Sequence, residues 1–153
     1  MELKVWRVSS VDVVVPAYSM LIGTGYDYVT GFGEASILSF TWDRTMMYDQ
    51  IKAVALEFYG KGFQVTNGPT SQPLGRTPWG GRLVETLGQD PYLNGIAFGI
   101  ATKAFTDAGI VAGGKHFLLN EQETNRQASG GSSSVAPYSS VVDDKALHET
   151  YLW

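Results

Sequence analysis

With 153 residues, 44% of them apolar and 17% charged, the chain has the size and composition of one globular domain and is too apolar for a disordered segment. Its 11 Lys and Arg against 15 Asp and Glu give a formal charge of -4. That balance lacks the basic footprint of proteins that grip phosphate backbones, so nucleic acid is not an expected partner. Cysteine is absent and only His116 and His148 carry imidazoles, which excludes disulfides, thiolate chemistry and a multi-histidine metal centre. Neither a metal nor a cofactor is expected.

The first 16 residues carry charges of both signs around the short apolar run Val13-Val14-Val15. That is below the roughly 7–15 apolar residues of an export signal, and no run reaches the roughly 20 needed to span a bilayer. No membrane partner is expected. Residues 11–15 read as a first strand stopped by Pro16. Residues 17–40, rich in Gly, Tyr and Ser, show no sustained period and read mostly as loop. Within them Gly23-Thr24-Gly25 lacks both the third glycine and the preceding strand of a dinucleotide-binding turn.

Residues 41–59 form the clearest helix. Thr41 is positioned to cap it, Asp43 places a negative charge in its first turn, and Met47, Ile51, Val54, Ala55 and Phe58 recur at spacings of three and four. Gly60 and Gly62 end it, and residues 63–66 read as a short strand. A second helix opens at Asp90-Pro91, a cap followed by proline at the first helical position. Its expected buried stripe is Leu93, Ile96, Ala97, Ile100 and Ala104, with Gly109 closing it. Residues 110–112 then read as a strand running into Gly113-Gly114-Lys115-His116. Residues 127–140, with Ser132, Ser133 and Ser134 in a row, read as a surface loop, and a short helix is expected from Asp143 or Asp144 to Trp153.

Short strands alternating with helices define an α/β chain of roughly three strand–helix units. A (β/α)8 barrel takes about 250 residues for eight units, so a barrel here is an incomplete one. In such folds the working residues stand just past the carboxyl ends of strands. Two places fit: the loop after 63–66, holding Arg76 and Gly80-Gly81-Arg82, and Lys115-His116 after 110–112. Two cations and an imidazole suit an oxygen-rich, polar ligand, since guanidinium and ammonium groups donate and imidazole does either. Spacing alone leaves Arg82 open between ligand contact and a loop salt bridge. It leaves Lys115 and His116 open between ligand contact and buried hydrogen bonding. Glu121-Gln122-Glu123 reads most simply as a solvated turn, with a carboxylate orienting the Lys or Arg as its functional alternative. Gly113-Gly114-Lys115 lacks the spacing of a phosphate-binding loop.

The motifs Thr41-Trp42-Asp43-Arg44, Gly68-Pro69, Pro73-Leu74-Gly75-Arg76, Gly80-Gly81-Arg82 with Glu85, and Asp90-Pro91-Tyr92-Leu93 occur in that order. Asp107-Ala108-Gly109-Ile110, Lys115-His116-Phe117, Asn120-Glu121-Gln122-Glu123 and His148-Glu149-Thr150-Tyr151-Leu152-Trp153 continue the series. As an ordered set they resemble the N-terminal barrel domain of fungal-type β-glucosidases of glycoside hydrolase family 3, most strongly over residues 27–153. The resemblance implies a partial family 3 domain spanning 1–153. It also implies a retaining hydrolase acting on terminal β-D-glucosyl residues of β-glucosides or cello-oligosaccharides, and secretion.

It further implies that Arg82, Lys115 and His116 bind sugar hydroxyls. The family's nucleophile, an aspartate in a Ser-Asp-Trp motif, and its acid/base glutamate from a second domain have no counterpart here, so no catalytic residue is assigned. The isolated chain is expected to be inactive, and the remainder of the barrel and the second domain are the partners implied. The family's upstream sugar-binding aspartate is replaced by Tyr18, and Leu83-Val84 stands where an Asn and an aromatic residue are common. The alternative is a non-catalytic sugar-binding remnant or interaction module.

Overall fold

The computed structural model describes residues 10–12, 30–128 and 135–152. In chain order its elements are β1 (Ser10–Asp12), α1 (Ala35–Ser39), α2 (Arg44–Gly60), β2 (Val65–Asn67), a 3-10 turn (Leu83–Glu85), α3 (Pro91–Asp107), β3 (Val111–Ala112) and α4 (Asp144–Ala146). The last runs on into a single π-helical turn, Leu147–Tyr151. The three strands form one parallel sheet in the order β1-β2-β3, with Ser10 opposite Val65 and Val65 opposite Val111. Parallel neighbours cannot be joined by a hairpin, so each pair needs a crossover. Here α2 lies in the first crossover and α3 in the second. The α/β class read from the sequence is therefore present among the described residues.

Helices α2, α3 and α4 begin where an acidic side chain holds orphan amides. Asp43 Oδ1 accepts from the N–H groups of Thr45 and Met46 at 2.9 and 3.0 Å, so α2 starts at Arg44 and Asp43 is the cap. The expected cap, Thr41, instead donates its hydroxyl to the Leu38 carbonyl at 2.6 Å, and Trp42 takes a positive φ of 58° between the two helices. The Thr41 hydroxyl also accepts from Asp43 N–H at 3.1 Å, so it serves the turn between the helices while the carboxylate two residues on serves the first amides of α2. At α3 the expectation holds: Asp90 Oδ1 accepts from Leu93 N–H at 2.8 Å and Pro91 opens the helix.

Both long helices end by one device. Gly62 (φ 86°) and Gly109 (φ 87°) adopt the left-handed conformation. The following residue donates back to the last turn: Phe63 N–H to the Phe58 carbonyl at 3.1 Å and Ile110 N–H to the Phe105 carbonyl at 3.0 Å. Each reversal delivers the chain directly into a strand.

The core lies between α2, α3 and the sheet. Met47, Ile51, Val54, Ala55 and Phe58 are buried, as the helical period indicates. On α3 the buried face is Leu93, Asn94, Ala97, Ala101, Ala104 and Phe105, while Ile96 and Ile100 are only half-buried. Three alanines stand at the centre of that face, and small residues let two helices approach closely; the isoleucines stand at its margin. Phe58 and Phe63 meet edge to face at 5.9 Å between ring centres.

Other expectations shift at their edges. The strands expected at 63–66 and 110–112 are seen as Val65–Asn67 and Val111–Ala112. The first strand is seen at Ser10–Asp12, and residues 13–15 lie outside the described residues, as do Tyr18, Gly23-Thr24-Gly25 and Ser132–Ser134. The stretch read as loop contains α1, five residues too short to show a period. The terminal helix is present, capped by Asp143, whose Oδ1 accepts from Ala146 N–H at 2.9 Å; Trp153 lies outside the described residues. Among the described residues no helix is long and apolar enough to cross a membrane.

Candidate functional site

Because the sheet is parallel, β2 and β3 end on the same side, and the loops leaving them carry Arg82, Lys115 and His116. A short backbone ladder ties these loops together. Lys115 N–H donates to the Pro69 carbonyl at 3.0 Å and Ser71 N–H donates to the Lys115 carbonyl at 2.7 Å. Gly68–Pro69, Lys115–His116 and Phe117–Leu118 are cis peptides.

Just before Lys115, Gly113 N–H donates to the Thr66 carbonyl at 2.9 Å, and a Cβ on Gly113 would lie 2.5 Å from that same oxygen. Gly113→Ala is therefore expected to lower stability by about 1–3 kcal/mol, because the obstacle is backbone that cannot turn aside. At Gly114 the added Cβ would meet, 2.5 Å away, the far edge of the half-buried Phe98 ring. That side chain can swing about its χ1 bond, as the backbone carbonyl at Gly113 cannot, so Gly114→Ala is expected to cost less. Urea denaturation of the two variants checks the order.

Arg82 precedes the 3-10 turn Leu83–Glu85. The glycine before it allows this loop to lie on the 121–123 segment: a Cβ on Gly81 would come within 2.4 Å of Glu123 Cγ and 3.0 Å of Glu123 N. The turn's i, i+3 spacing brings Glu85 onto Arg82. Arg82 Nε donates to Glu85 Oε1, and Nη2 donates to Oε2 at 2.8 Å. The Lys115 ammonium pairs with the same Oε2 at 2.9 Å. One carboxylate, 5% exposed, thus clamps a guanidinium from the loop after β2 and an ammonium from the loop after β3. Glu123 stands further off, its Oε1 3.9 Å from Arg82 Nε, while its Oε2 accepts from Arg126 Nε at 2.7 Å.

The electrostatics follow from this packing. Burial pushes the Glu85 carboxyl up, but the hydrogen bonds and charges of Arg82 and Lys115 outweigh burial and hold it below the usual carboxylate range. His116 is half-buried, and its imidazole is held below its ordinary value first by burial and then by the Arg82 and Lys115 charges, with Glu85 and Glu123 pulling the other way. The imidazole is thereby kept neutral near pH 7. Its Nδ1 lies 3.5 Å from Asn120 Nδ2. The structure therefore brings all three sequence-derived residues into one electrostatic neighbourhood.

Two corrections concern the carboxylates. Glu121 and Glu123 are half-buried and bonded, not solvated. Glu121 accepts from Arg76 N–H at 3.2 Å and from the Tyr151 hydroxyl, whose pKa burial and this bond both raise. The Tyr138 hydroxyl accepts from the N–H groups of Glu121 and Gln122 at 3.2 Å each. The carboxylate that orients the cations is chiefly Glu85, which sequence reading placed in a motif without a role. Its signal was the i, i+3 spacing from Arg82.

Two adjoining clefts of about 490 and 480 Å³ open beside this cluster and share Leu119, Tyr138, Ser139 and Ser140. His116 lines the second, while Arg82 and Lys115 line neither. Among the described residues no group of three His, Asp or Glu side chains is placed to hold a metal ion.

No protein-family profile matches the chain. It is 65% identical over 127 residues, 82% of its length, to a probable β-glucosidase D of Aspergillus flavus, of which it spans 17%. Among solved structures, it aligns with a glycoside hydrolase family 3 β-glucosidase from Neurospora crassa at a TM-score of 0.73 and 42% identity. That alignment covers 83% of this chain and 16% of the other. It also aligns with β-glucosidase 3B from Thermotoga neapolitana, solved in complex with glucose, at a TM-score of 0.70 and 32% identity, covering 82% and 16%. Over four fifths of its length, then, the chain is a homologue of fungal β-glucosidases of glycoside hydrolase family 3 and corresponds to about one sixth of their length.

Proposed function

We propose that this chain supplies the glucose-binding part of a retaining β-glucosidase, with Arg82, Lys115 and His116 contacting hydroxyls of the terminal β-D-glucosyl unit. The convergence of Arg82 and Lys115 on the buried Glu85, beside His116 and past the ends of β2 and β3, carries this reading. Charge-assisted hydrogen bonds from fixed cations orient a polyol, and a neutral imidazole both donates and accepts. The sugar-binding homologue at 32% identity supports the same ligand class.

On this reading the chain, residues 1–153, is part of the family's N-terminal domain, and β1, β2 and β3 are three consecutive strands of a (β/α)8 barrel. The remaining strands and helices of that barrel would cover Val111 on the edge strand and Phe117 beyond it, now 60% and 91% exposed. Retaining hydrolysis requires two carboxyl groups roughly 5–5.5 Å apart, one attacking the anomeric carbon and one exchanging the proton. No Ser-Asp-Trp motif occurs in the sequence. The 153 residues are therefore assigned binding, and β-glucoside turnover is assigned to the longer enzyme.

Titrating D-glucose into the chain tests this. The expected result is saturable binding, at least tenfold weaker in an Arg82→Ala chain that still melts cooperatively, and no release of p-nitrophenol from p-nitrophenyl β-D-glucoside. Absence of saturation, or equal binding by Arg82→Ala, would count against the proposal.

A further inference from the structure

We propose that Glu85 is a positioning residue of the sugar site, the group that sets Arg82 and Lys115 side by side and fixes the spacing at which they meet a ligand. This rests on the sugar-binding reading above and adds to it a residue that does not itself touch the sugar.

The two cations come from different loops, 33 positions apart in sequence. A long, flexible lysine and an arginine of like charge would otherwise separate: each carries several rotatable bonds, and their mutual repulsion favours divergence. Glu85 reverses that preference. Both its oxygens engage Arg82 in a fork, which fixes the guanidinium plane, and Oε2 simultaneously holds the ammonium at 2.9 Å. The carboxylate is buried, so water screens these contacts little, and the Arg82 and Lys115 side chains are themselves mostly covered at 23% and 13% exposure.

The 3-10 turn carrying Glu85 is also tied down. Thr86 Oγ1 donates to the Leu83 carbonyl at 2.9 Å, and Leu87 N–H donates to the Thr70 carbonyl at 3.2 Å, the residue whose backbone pairs with Lys115. Carboxylate, guanidinium and ammonium thus stand on a single braced frame. A carboxylate already committed to two cations is a poor acceptor for sugar hydroxyls, which separates its role from that of the groups it holds.

Among the described residues, charged groups that also face the cluster include Glu123, 3.9 Å from Arg82, and His116. Neither replaces Glu85: Glu123 is engaged with Arg126 at 2.7 Å, and His116 is uncharged near neutral pH. Removing Glu85 therefore takes away the carboxylate that the two cations share and subtracts a nearby negative charge that His116 feels.

The test compares the parent chain with Glu85→Gln, Glu85→Asp, Arg82→Ala and Arg82→Ala/Glu85→Gln by NMR. Three readouts are followed: D-glucose titration, the exchange rate of the Arg82 Nε proton, and the titration of the His116 ring. Glu85→Gln is expected to weaken glucose binding at least tenfold, to speed Arg82 Nε proton exchange and to lower the His116 midpoint. Added to Arg82→Ala, it is expected to cost less than it does alone, because part of its effect passes through Arg82. Glu85→Asp keeps the charge with a shorter reach; it guards against loss of fold in the Gln variant, and it is expected to leave the His116 midpoint near the parent value while weakening glucose binding severalfold.

Unchanged Arg82 proton exchange together with an unchanged His116 midpoint in a folded Glu85→Gln chain would overturn the positioning role, whatever the sugar titration gives. Equal glucose binding by the parent and Glu85→Asp would overturn it too. Failure of glucose to saturate the parent, with the Arg82 and His116 readouts moving as expected, would instead overturn the sugar reading and leave Glu85 as the clamp of a site for another ligand.

Discussion

Phe105→Ala is expected to destabilise the chain by about 3–5 kcal/mol, the range for deleting a buried aromatic ring. Phe105 is fully buried, one position past the alanines at the centre of α3's inner face, and belongs to the same core as Phe58, Phe63 and Ile110. Its carbonyl also receives the Ile110 N–H at the reversal that feeds β3, so a cavity here loosens the start of the strand leading to Lys115. Domains of this size are stable by only about 5–15 kcal/mol, so this one truncation removes a large share of the total. A control at Ile100, half-buried on the same helix, is expected to cost clearly less when cut to Ala. Equilibrium urea unfolding followed by circular dichroism distinguishes the two; equal costs would show that the core does not close on Phe105.

Glu85→Ala is expected to be comparably costly, about 3–5 kcal/mol, because it breaks a buried ion pair and removes the carboxylate that two cations share. The same carboxylate gives the chain an acid dependence whose sign is fixed. Glu85 titrates lower in the folded chain than its ordinary 4.5, so its contribution is present above that value and is lost as pH falls through the folded midpoint. His116 also titrates below its ordinary 6.5, because the folded chain favours the neutral ring. Its contribution is complete above 6.5 and is lost as pH falls through its own folded midpoint. Stability is therefore expected to decline with acid in two stages, the first belonging to His116 and the second to Glu85. Melting temperatures of the parent and Glu85→Ala across pH 3–8 show whether the lower stage disappears with the carboxylate. A parent chain equally stable across that whole range would contradict both assignments.

Long periodic segments were legible in the sequence because one repeating contact decides them. The buried stripe of α2 and the Asp90-Pro91 opening of α3 are of that kind. The inner face of α3 was misjudged by one step around the helix. Hydrophobicity favours Ile96 and Ile100, whereas close packing within a shared core selects Ala97, Ala101 and Ala104. Strand positions were legible and their limits were not: β3 is only two residues long, and its extent is set by pairing with β2, a contact across more than 40 positions. The five residues of α1 carry no period to read.

At the site, their places after strands made Lys115, His116 and Arg82 candidates, with Arg76 in the same loop; the choice of Arg82, Lys115 and His116 as sugar-binding rests on the family resemblance. Glu85 could not be assigned its role, since half of it depends on Lys115 arriving from another loop. Glu121 and Glu123 were misread as solvated because local sequence does not reveal that Tyr138 and Tyr151 fold back over that turn.

The most direct measurement is a D-glucose titration of the chain with selectively labelled Arg, Lys and His side chains, read at the Arg82 Nε, Lys115 Nζ and His116 ring resonances. His148, exposed on the terminal helical turn, serves as the internal reference. A glucose-binding cluster moves Arg82, Lys115 and His116 along one saturation curve and leaves His148 still. Shifts absent at all three, or shared equally by His148, would contradict the assignment of these residues to a sugar site.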